Sequence, residues 1–304
     1  MKTYRSNGKL FLIGEYIVID GAKAFALPTK YGQCLFVEDS SENTNLIRWK
    51  ALKCDDSIWF ETQLSLDNLD IISSTNDKLS RSLQGILKQA KSLNPSFFTS
   101  NKSYSCFTKL EYPQEWGLGS SSTLIDLISQ WVEVNPFELN KLTFNTSGYD
   151  IACAHHNCPI LFSNQPLIEV EELELNWNFN DQLYFVYLNQ KQDTQAVVGN
   201  HYKNKAKDWK MINDLSDLVV EATKVEYLSD LEHILNEYQS RLSHFMQISQ
   251  PKELYFPDYS GVVKSLGAWG GDFVLVTYRE GMQEYFRGKG YETIIPFSEL
   301  IKSC

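Results

Sequence analysis

The sequence has no long hydrophobic run and no excess of basic residues. Its 304 residues include 38 Asp and Glu against 28 Lys and Arg, which gives a formal net charge of −10. Nucleic acids and anionic membranes bind basic surfaces, so this charge balance argues against both classes of partner. No apolar segment approaches the length that crosses a bilayer, and the sequence therefore predicts no transmembrane helix.

The cysteines do not follow a pattern typical of a disulfide framework or of a zinc site. They are scattered along the chain, at Cys34, Cys54, Cys106, Cys153, Cys158 and Cys304. We therefore predict reduced thiols. The segment 153–158 has two cysteines and two histidines, but their spacing differs from that of zinc ligand pairs and favours buried thiols. The first apolar run, Leu10 to Ile13, is too short for a signal-peptide core, so we expect a cytoplasmic protein.

The length and composition predict a globular protein with two domains or one elaborate α/β unit. The chain is longer than most single hydrophobic cores, and its 43% hydrophobic and 13% aromatic residues exclude a disordered protein. It contains no internal repeat and no low-complexity tract. An acidic segment begins at Glu169, soon after Gln165-Pro166, and we place the domain boundary between residues 168 and 169.

Hydrophobic periodicity predicts strands near the start and helices later. Two apolar runs flank Gly14-Glu15 and stop at Asp20-Gly21, which predicts a strand, a glycine break and a second strand. Leucines at helical spacing predict a helix over 76–93, and alternation predicts a strand over 104–110. Further elements are predicted as helices over 120–132, 206–225, 229–248 and 280–287, and strands over 183–188, 273–276 and 291–295.

A loop with two glycines and three serines, Pro113 to Ser122, joins the predicted strand 104–110 to the helix 120–132. Gly117 and Gly119 let the backbone approach a ligand, and the serines can cap the helix. The N–H groups and the dipole of a helix start attract anions. Two interpretations stay open for the loop alone, a phosphate-binding loop or an ordinary turn with a serine cap.

Three other stretches contain residues suited to chemistry. Lys9 and Glu15 lie in the first apolar segment, where an isolated charged residue is typically a solvated strand residue. Asp150 follows the Ser147-Gly148 turn and can serve either as a helix N-cap or as a base. Three glycines at 267–271 precede a strong predicted strand.

Together these stretches resemble the motifs of the GHMP kinases, the small-molecule kinases that include galactokinase, homoserine kinase, mevalonate kinase and phosphomevalonate kinase. Gly8 to Tyr16 looks like the first motif, Pro113 to Ser122 like the second and Gly267 to Asp272 like the third. Ser147-Gly-Tyr-Asp150 resembles an element of the mevalonate and phosphomevalonate branch. The string Gly-Tyr-Asp-Ile-Ala at 148–152 is the one for which the GYDIA subgroup is named.

The resemblance implies an α+β fold with two domains. Residues 1–168 would form an ATP-binding domain like domain 2 of ribosomal protein S5, and residues 169–304 a ferredoxin-like α+β domain. It also implies an ATP- and magnesium-dependent kinase that acts on a small molecule, with mevalonate or phosphomevalonate as the preferred acceptor and a role in isoprenoid biosynthesis. We expect a monomer or homodimer without a nucleic-acid or membrane partner.

The resemblance also implies roles for particular residues. Asp150 would be the catalytic base, and Lys9 would stabilise charge at the transferring phosphoryl group. The nucleotide would be bound by Pro113, Trp116, Gly117, Leu118, Gly119, Ser120, Ser121 and Ser122. Magnesium would be bound by Ser121 and Glu138. The acceptor would lie near Gly14, Glu15, Tyr16, Thr194, Gly267, Ala268, Gly270 and Gly271.

The chain departs from the family pattern at three positions, Glu115, Leu266 and Trp269. Glu115 stands where the second motif has glycine, and Trp116 beside it either flanks the nucleotide base or closes the loop. Leu266 and Trp269 replace a hydroxyl residue and a glycine of the third motif. These departures leave two alternatives to a kinase: a homologue that binds nucleotide or metabolite without turnover, and an enzyme like diphosphomevalonate decarboxylase.

Overall fold

The computed structural model describes residues 1–40, 44–98, 102–190, 198–267 and 269–304. The strands are β1 (Lys2–Ile13), β2 (Ala24–Ser40), β3 (Leu46–Leu52), β4 (Ile58–Ser65), β5 (Ile71–Ser74), β6 (Ser103–Leu110), β7 (Ile160–Ser163), β8 (Glu169–Glu172), β9 (Leu183–Tyr187), β10 (Val263–Ser265), β11 (Phe273–Thr277) and β12 (Ile294–Pro296). The α-helices are α1 (Asp77–Leu93), α2 (Ser120–Val132), α3 (Pro136–Leu142), α4 (Tyr149–His155), α5 (Trp209–Ala222), α6 (Leu228–Met246), α7 (Pro251–Tyr255), α8 (Met282–Gly288) and α9 (Phe297–Leu300). Within the described ranges, no helix is both long enough and apolar enough to span a bilayer.

The chain divides into two compact units, each made of three segments. Unit 1 contains Met1–Gly8, Tyr31–Gln114 and Leu118–His155, and unit 2 contains Lys9–Lys30, Glu115–Gly117 and His156–Cys304. Strands β1 and β2 therefore contribute residues to both units. The boundary that we predict between residues 168 and 169 lies within unit 2, and the family's domain division at that point stays a prediction.

Unit 1 is a sheet with helices packed on it. Its strand order is β5-β4-β3-β6-β2, and every neighbouring pair is antiparallel except β3 and β6. Helix α1 starts where the Asn76 side chain accepts a hydrogen bond from the Leu79 N–H, and it packs against β4, β5 and α2. Its leucines Leu83 and Leu87 are buried. The Trp131 ring of α2 meets Tyr104 of β6, with ring centroids 5.4 Å apart, so aromatic packing joins helix and sheet.

Unit 2 contains a small antiparallel sheet and a pair of long helices. The sheet has the order β10-β11-β9-β12, and its five-residue central strand β11 is entirely buried. Helices α5 and α6 pack together, as the predicted helix pair requires. The first part of β2 pairs with β7, and β7 pairs with β8. The structure thus confirms the prediction of an α+β fold.

The second strand predicted after Gly14-Glu15 is wrong. Residues Ile17–Asp20 form a 3-10 helix, because the chain turns at Tyr16 (φ 67°) and again at Gly21 (φ 89°). The Ile19 N–H donates to the Tyr16 carbonyl at 3.1 Å, as in a tight i to i+3 turn. Ile17 and Val18 are buried all the same, so their apolar character reflects packing and does not indicate a strand.

The prediction of six reduced thiols is also wrong, since Cys158 and Cys304 form a disulfide. Their Cα atoms lie 4.8 Å apart although 146 positions separate them in sequence. The remaining cysteines are free, and Cys106 and Cys153 are buried. In the part of the chain that the structure describes, no group of three or more His, Cys, Asp and Glu residues is placed to hold a metal ion.

Candidate active site

The second half of the glycine-serine loop forms the start of α2 in unit 1. Gly119 is the N-cap residue, with φ 88°, and no side chain caps this end of the helix. The expected serine cap is wrong, because the Ser122 hydroxyl instead donates to the Gly119 carbonyl at 2.8 Å. The buried Thr123 hydroxyl donates to Gln33 Oε1 of β2 at 2.6 Å and fixes the helix start on the sheet. A helix start without a side-chain cap leaves its first N–H groups for a ligand or water.

The middle of the loop, Glu115–Gly117, lies in unit 2. The Tyr187 hydroxyl donates to the Glu115 carbonyl at 3.1 Å, and the Trp116 ring meets the Phe273 ring edge to face at 5.5 Å. We expected Trp116 either to flank the nucleotide base or to close the loop. Its contact with Phe273 is that of a ring that closes the loop. Burial, together with the Glu115 and Asp272 carboxylates, raises the pKa of Tyr187, which keeps its hydroxyl protonated as a donor.

Gly117 is in close contact with the third motif and with Lys9. It has φ +67°, and a Cβ atom placed on it would lie 2.4 Å from Asp272 Cγ. Only a residue without a side chain fits there. The Lys9 Nζ donates to the Gly117 carbonyl at 3.3 Å. Unit 2 therefore brings together the lysine of the first motif, a glycine of the second and the aspartate of the third.

The turn of the first motif is buried. A Cβ atom on Gly14, whose φ is +110°, would lie 2.7 Å from Ala24 Cα. Glu15 is only 2% exposed, so its reading as a solvated strand residue is wrong. Its Oε1 accepts hydrogen bonds from Lys264 Nζ at 2.5 Å and from Trp269 Nε1 at 2.9 Å. Burial lowers the pKa of Lys264, and the Glu15 carboxylate opposes that shift.

The third motif is a glycine loop between β10 and β11. Gly267 (φ 69°) and Gly270 (φ 105°) adopt the left-handed backbone that favours glycine, and Gly271 is buried. The Trp269 N–H donates to the Tyr16 hydroxyl at 3.0 Å, which joins this loop to the first motif. Two other residues predicted near the acceptor, Thr194 and Ala268, lie outside the described residues.

Asp150 lies in the first turn of α4 in unit 1. Helix α4 begins at Tyr149, so Asp150 is inside the helix and is not its N-cap. Its Oδ1 accepts hydrogen bonds from the Thr146 hydroxyl at 3.0 Å and from the Ile151 N–H at 3.1 Å. Both bonds fall on one oxygen, so they fix the orientation of the carboxylate.

The predicted magnesium ligands, Ser121 and Glu138, both lie in unit 1. Ser121 is exposed and is in the first turn of α2. Glu138 is in the first turn of α3, whose start is capped by Asn135 Oδ1 at 3.1 Å from the Glu138 N–H. Carboxylate and hydroxyl oxygens of this kind are hard ligands.

Sequence reasoning missed a buried carboxylate in unit 1. Asp126 of α2 is fully buried and accepts hydrogen bonds from the Ser6 hydroxyl and the Gln130 amide, each at 2.8 Å. Its other oxygen lies 2.8 Å from His155 Nδ1 of α4. Hydrogen bonding to Asp126 raises the pKa of His155, although partial burial opposes the shift.

One sequence signal could have found both buried charges. Asp126 interrupts the apolar run 124–128, and Lys264 interrupts the apolar run 262–266. A charged residue within an apolar run is buried only when a partner compensates its charge. The pattern therefore predicts that a partner exists, but it does not say which residue that is.

No protein-family model and no curated protein sequence matches the chain. Solved structures do. The Methanococcus jannaschii mevalonate kinase covers 100% of this chain and 98% of its own, with a TM-score of 0.68 and 16% identity. The Streptococcus pneumoniae phosphomevalonate kinase in complex with phosphomevalonate and AMPPNP covers 95% of this chain and 96% of its own (TM-score 0.69, 14% identity).

A galactokinase is also similar over the whole chain. The Lactococcus lactis enzyme complexed with galactose covers 99% of this chain and 93% of its own, with a TM-score of 0.67 and 13% identity. Identities at this level establish a shared fold and leave the substrate open. The chain therefore has the two-domain α+β fold of mevalonate kinase, phosphomevalonate kinase and galactokinase, which confirms the GHMP kinase fold predicted from its motifs.

Proposed function

We propose that this protein is an ATP- and magnesium-dependent small-molecule kinase, with mevalonate or phosphomevalonate as its preferred acceptor. The observation that carries the proposal is the hydrogen bond from Lys9 Nζ to the Gly117 carbonyl at 3.3 Å. It fixes a cation at the glycine-rich loop in which an anion would bind. The shared fold with three kinases supports the same class of reaction.

The residues present fit a nucleotide. Helix α2 has 13 residues, begins at a left-handed glycine and lacks a side-chain cap, which is the arrangement that favours a phosphate. Pro113 and Trp116 to Ser122 would bind the nucleotide through this segment. Ser121 and Glu138 would supply oxygen ligands to magnesium, which typically takes only one or two protein ligands beside phosphate oxygens and water. When bound, ATP supplies the phosphoryl group and magnesium neutralises part of its charge.

The chain's own residues would orient the acceptor and balance charge. With a hydroxyl acceptor such as mevalonate, Asp150, oriented by Thr146, would accept a hydrogen bond from that hydroxyl and take its proton as the new O–P bond forms and the bond to the leaving ADP breaks. With a phosphate acceptor such as phosphomevalonate, the attacking oxygen carries no proton, and the same O–P bonds form and break without proton transfer. Lys9 would offset the negative charge that develops on the transferred group. The turn Gly14–Tyr16 and the glycines of the third motif would border the acceptor.

The proposal is tested by acceptor-dependent ADP release with mevalonate, phosphomevalonate, homoserine and galactose. We expect turnover with mevalonate or phosphomevalonate and, when the acceptor group is a hydroxyl, a loss of kcat of about 100-fold or more in Asp150→Asn, as for removal of a general base. Asp181→Asn, at an exposed position, is the matched control and should keep full activity. The absence of turnover with every acceptor, or an unchanged kcat in Asp150→Asn with a hydroxyl acceptor, contradicts the proposal.

A second candidate is a protein that binds nucleotide or metabolite without turnover. It is favoured by the Asp272 carboxylate, which lies against Gly117 and would repel a triphosphate. Calorimetry with ATP and magnesium separates the two candidates. A nucleotide that binds but stays intact with every acceptor favours the non-catalytic protein.

A further inference from the structure

A buried ion pair links two of the motifs within unit 2. The Lys264 side chain is 0% exposed and the Glu15 side chain 2%, and their charged atoms lie 2.5 Å apart. Trp269 completes the group through its indole N–H, which donates to the same carboxylate oxygen at 2.9 Å. We call Glu15, Lys264 and Trp269 the Glu15 cluster.

The charge of Lys264 is compensated on more than one side. Its Nζ also donates to the Ser265 carbonyl at 2.5 Å and lies 5.5 Å from the centre of the Tyr238 ring. The hydroxyl of the same tyrosine donates to the Glu15 carbonyl at 2.8 Å. A buried ion pair seldom stabilises a fold more than apolar side chains of the same size would. Stability therefore does not account for this pair, and its role lies in the positions that it fixes.

The cluster fixes the third-motif loop on the first-motif turn. Lys264 lies in β10, three positions before Gly267, and Trp269 lies in the loop itself. The loop is also attached to the turn by a second hydrogen bond, which the Trp269 backbone N–H donates to the Tyr16 hydroxyl. One tryptophan thus binds the turn through both its side chain and its backbone. Both stretches are among those predicted to border the acceptor.

We propose that Lys264 and Trp269 are positioning residues that, with Glu15, set the shape of the acceptor side of the site. This inference rests on the proposed kinase function. Glu15 is the internal counter-ion of Lys264, and its carboxylate does not serve as a ligand for the acceptor. Trp269, which replaces a small residue of the family pattern, gives the loop a side chain with which to bind the turn.

The first test measures hydrogen exchange in peptides that span 263–276, with no substrate present. Glu15→Gln keeps an oxygen to accept both bonds, and its amide takes the place of Oε2, which is buried and has no hydrogen-bond partner among the described residues. It removes the charge alone and leaves the Lys264 ammonium buried without a counter-ion. We expect exchange about tenfold faster in Glu15→Gln and in Lys264→Met, and a smaller increase in the double variant, which removes both charges.

Tryptophan variants separate the hydrogen bond from the packing. Trp269→Phe keeps an aromatic ring but loses the indole donor. The matched control is Trp177→Phe, because Trp177 is also buried but its Nε1 has no partner among the described residues. We expect faster exchange of the third-motif loop in Trp269→Phe and unchanged exchange there in Trp177→Phe. If Glu15→Gln or Lys264→Met fails to fold, the comparison of Trp269→Phe with Trp177→Phe still tests the inference.

The second test measures steady-state kinetics with the acceptor that the wild-type protein turns over. Trp269→Phe should raise KM for the acceptor by about tenfold, the size expected for one lost hydrogen bond, while KM for ATP changes by less than about twofold. A merely structural role predicts equal effects on both substrates. An equal effect in Trp177→Phe, or unchanged exchange in all variants of the cluster, overturns the inference.

The two proposals fail in different ways. If the exchange results are as expected but the wild-type protein has no acceptor-dependent turnover, the cluster fixes the loop and its role toward an acceptor is overturned together with the kinase function. If turnover is present but the acceptor KM is unchanged in Trp269→Phe, the kinase function stands and the positioning role is overturned.

Discussion

At position 117 the space that a Cβ atom would need is taken by the Asp272 carboxylate. The glycine has φ +67°, so an L side chain would be strained there even without the contact. The position therefore requires glycine for two independent reasons. A motif that sequence analysis assigns to phosphate binding is also constrained by packing between two loops of unit 2.

We predict that Gly117→Ala disrupts the loop. Its Cβ would lie 2.4 Å from Asp272 Cγ, so the carboxylate or the loop must move. We expect the free energy of unfolding to fall by about 1–3 kcal/mol, measured by urea denaturation, and AMPPNP to bind more weakly in calorimetry.

The control for this substitution is Gly85→Ala. Gly85 lies within α1, and a Cβ atom added to it would have no neighbouring atom within 4 Å, so alanine should raise the free energy of unfolding by about 0.5–1 kcal/mol. If Gly117→Ala is as stable as the wild type and binds AMPPNP equally well, the packing explanation for Gly117 is wrong.

Glu15 shows what a sequence can and cannot predict about a single residue. Its place in the first motif and the tight turn at Gly14 can be recognised from adjacent residues. Its burial cannot, because its partner Lys264 is 249 positions away. The neighbouring residues indicate that a charged residue lies in an unusual place. The partner that balances its charge is known only from the folded structure.

In unit 1, the helices α2 and α4 are joined by the hydrogen bond between Asp126 and His155. One helix begins with the serines of the second motif, and the other contains Asp150. The bonds from Ser6 and Gln130 to Asp126 keep the carboxylate satisfied while it is buried. The strength of this bond between the two helices therefore depends in part on the protonation of one imidazole.

We predict that this contact stabilises the fold more at low pH. The pKa of His155 is raised in the folded state, so its contribution is fully present below the unfolded-state pKa of about 6.5 and is lost as the pH rises through the folded-state pKa. His155→Gln keeps an amide donor for Asp126 but cannot take up a proton. The difference in Tm between wild type and His155→Gln should be larger at about pH 5.5 than at about pH 8.5.

The exposure of the histidine side chains determines how large this pH dependence should be and which variant is its control. The His155 side chain is 52% exposed, so solvent screening keeps the effect modest. His233→Gln, which changes a histidine whose side chain is 80% exposed, is the control. A difference in Tm that is the same at both pH values would rule out a stabilising charge on His155.

Helices and strands were predictable from the sequence where the hydrophobic periodicity extends over many residues. Helix α2 has the predicted bounds, and α1 and β6 agree within one residue at each end. The 3-10 helix Ile17–Asp20 was not predictable, because its residues favour strands by composition and only burial against the rest of unit 2 decides their conformation. Helix α3, which carries Glu138, is a short helix of seven residues, and no helix was predicted there.

At the scale of the whole molecule, the two units alternate along the chain. Neither unit is a single continuous segment, so no one cut in the sequence separates them. The length predicts two domains or one elaborate α/β unit, and the boundary that we predict between residues 168 and 169 lies at the start of the largely exposed strand β8. It stays a prediction, because a charge pattern marks solvated surface, which is a different property from the limit of a compact unit.

We predict that the disulfide between Cys158 and Cys304 stabilises the protein. A cross-link over 146 positions restricts the unfolded chain strongly, so Cys304→Ser should lower the free energy of unfolding by about 3–5 kcal/mol. Thiol titration of the denatured protein should find the four free cysteines before reduction, and all six after it. Six thiols before reduction, from protein purified without reductant, would contradict the pairing.

The same bond makes a closed ring of the chain from residue 158 to residue 304. A protease that cuts the backbone once anywhere inside this ring leaves the two products covalently joined. On a non-reducing gel the cut protein would therefore run as one species, and on a reducing gel as two. Nicks in the long helices α5 and α6 would pass unnoticed in any gel run without reductant, and the protein would keep both of its pieces at an effective concentration that favours their reassociation.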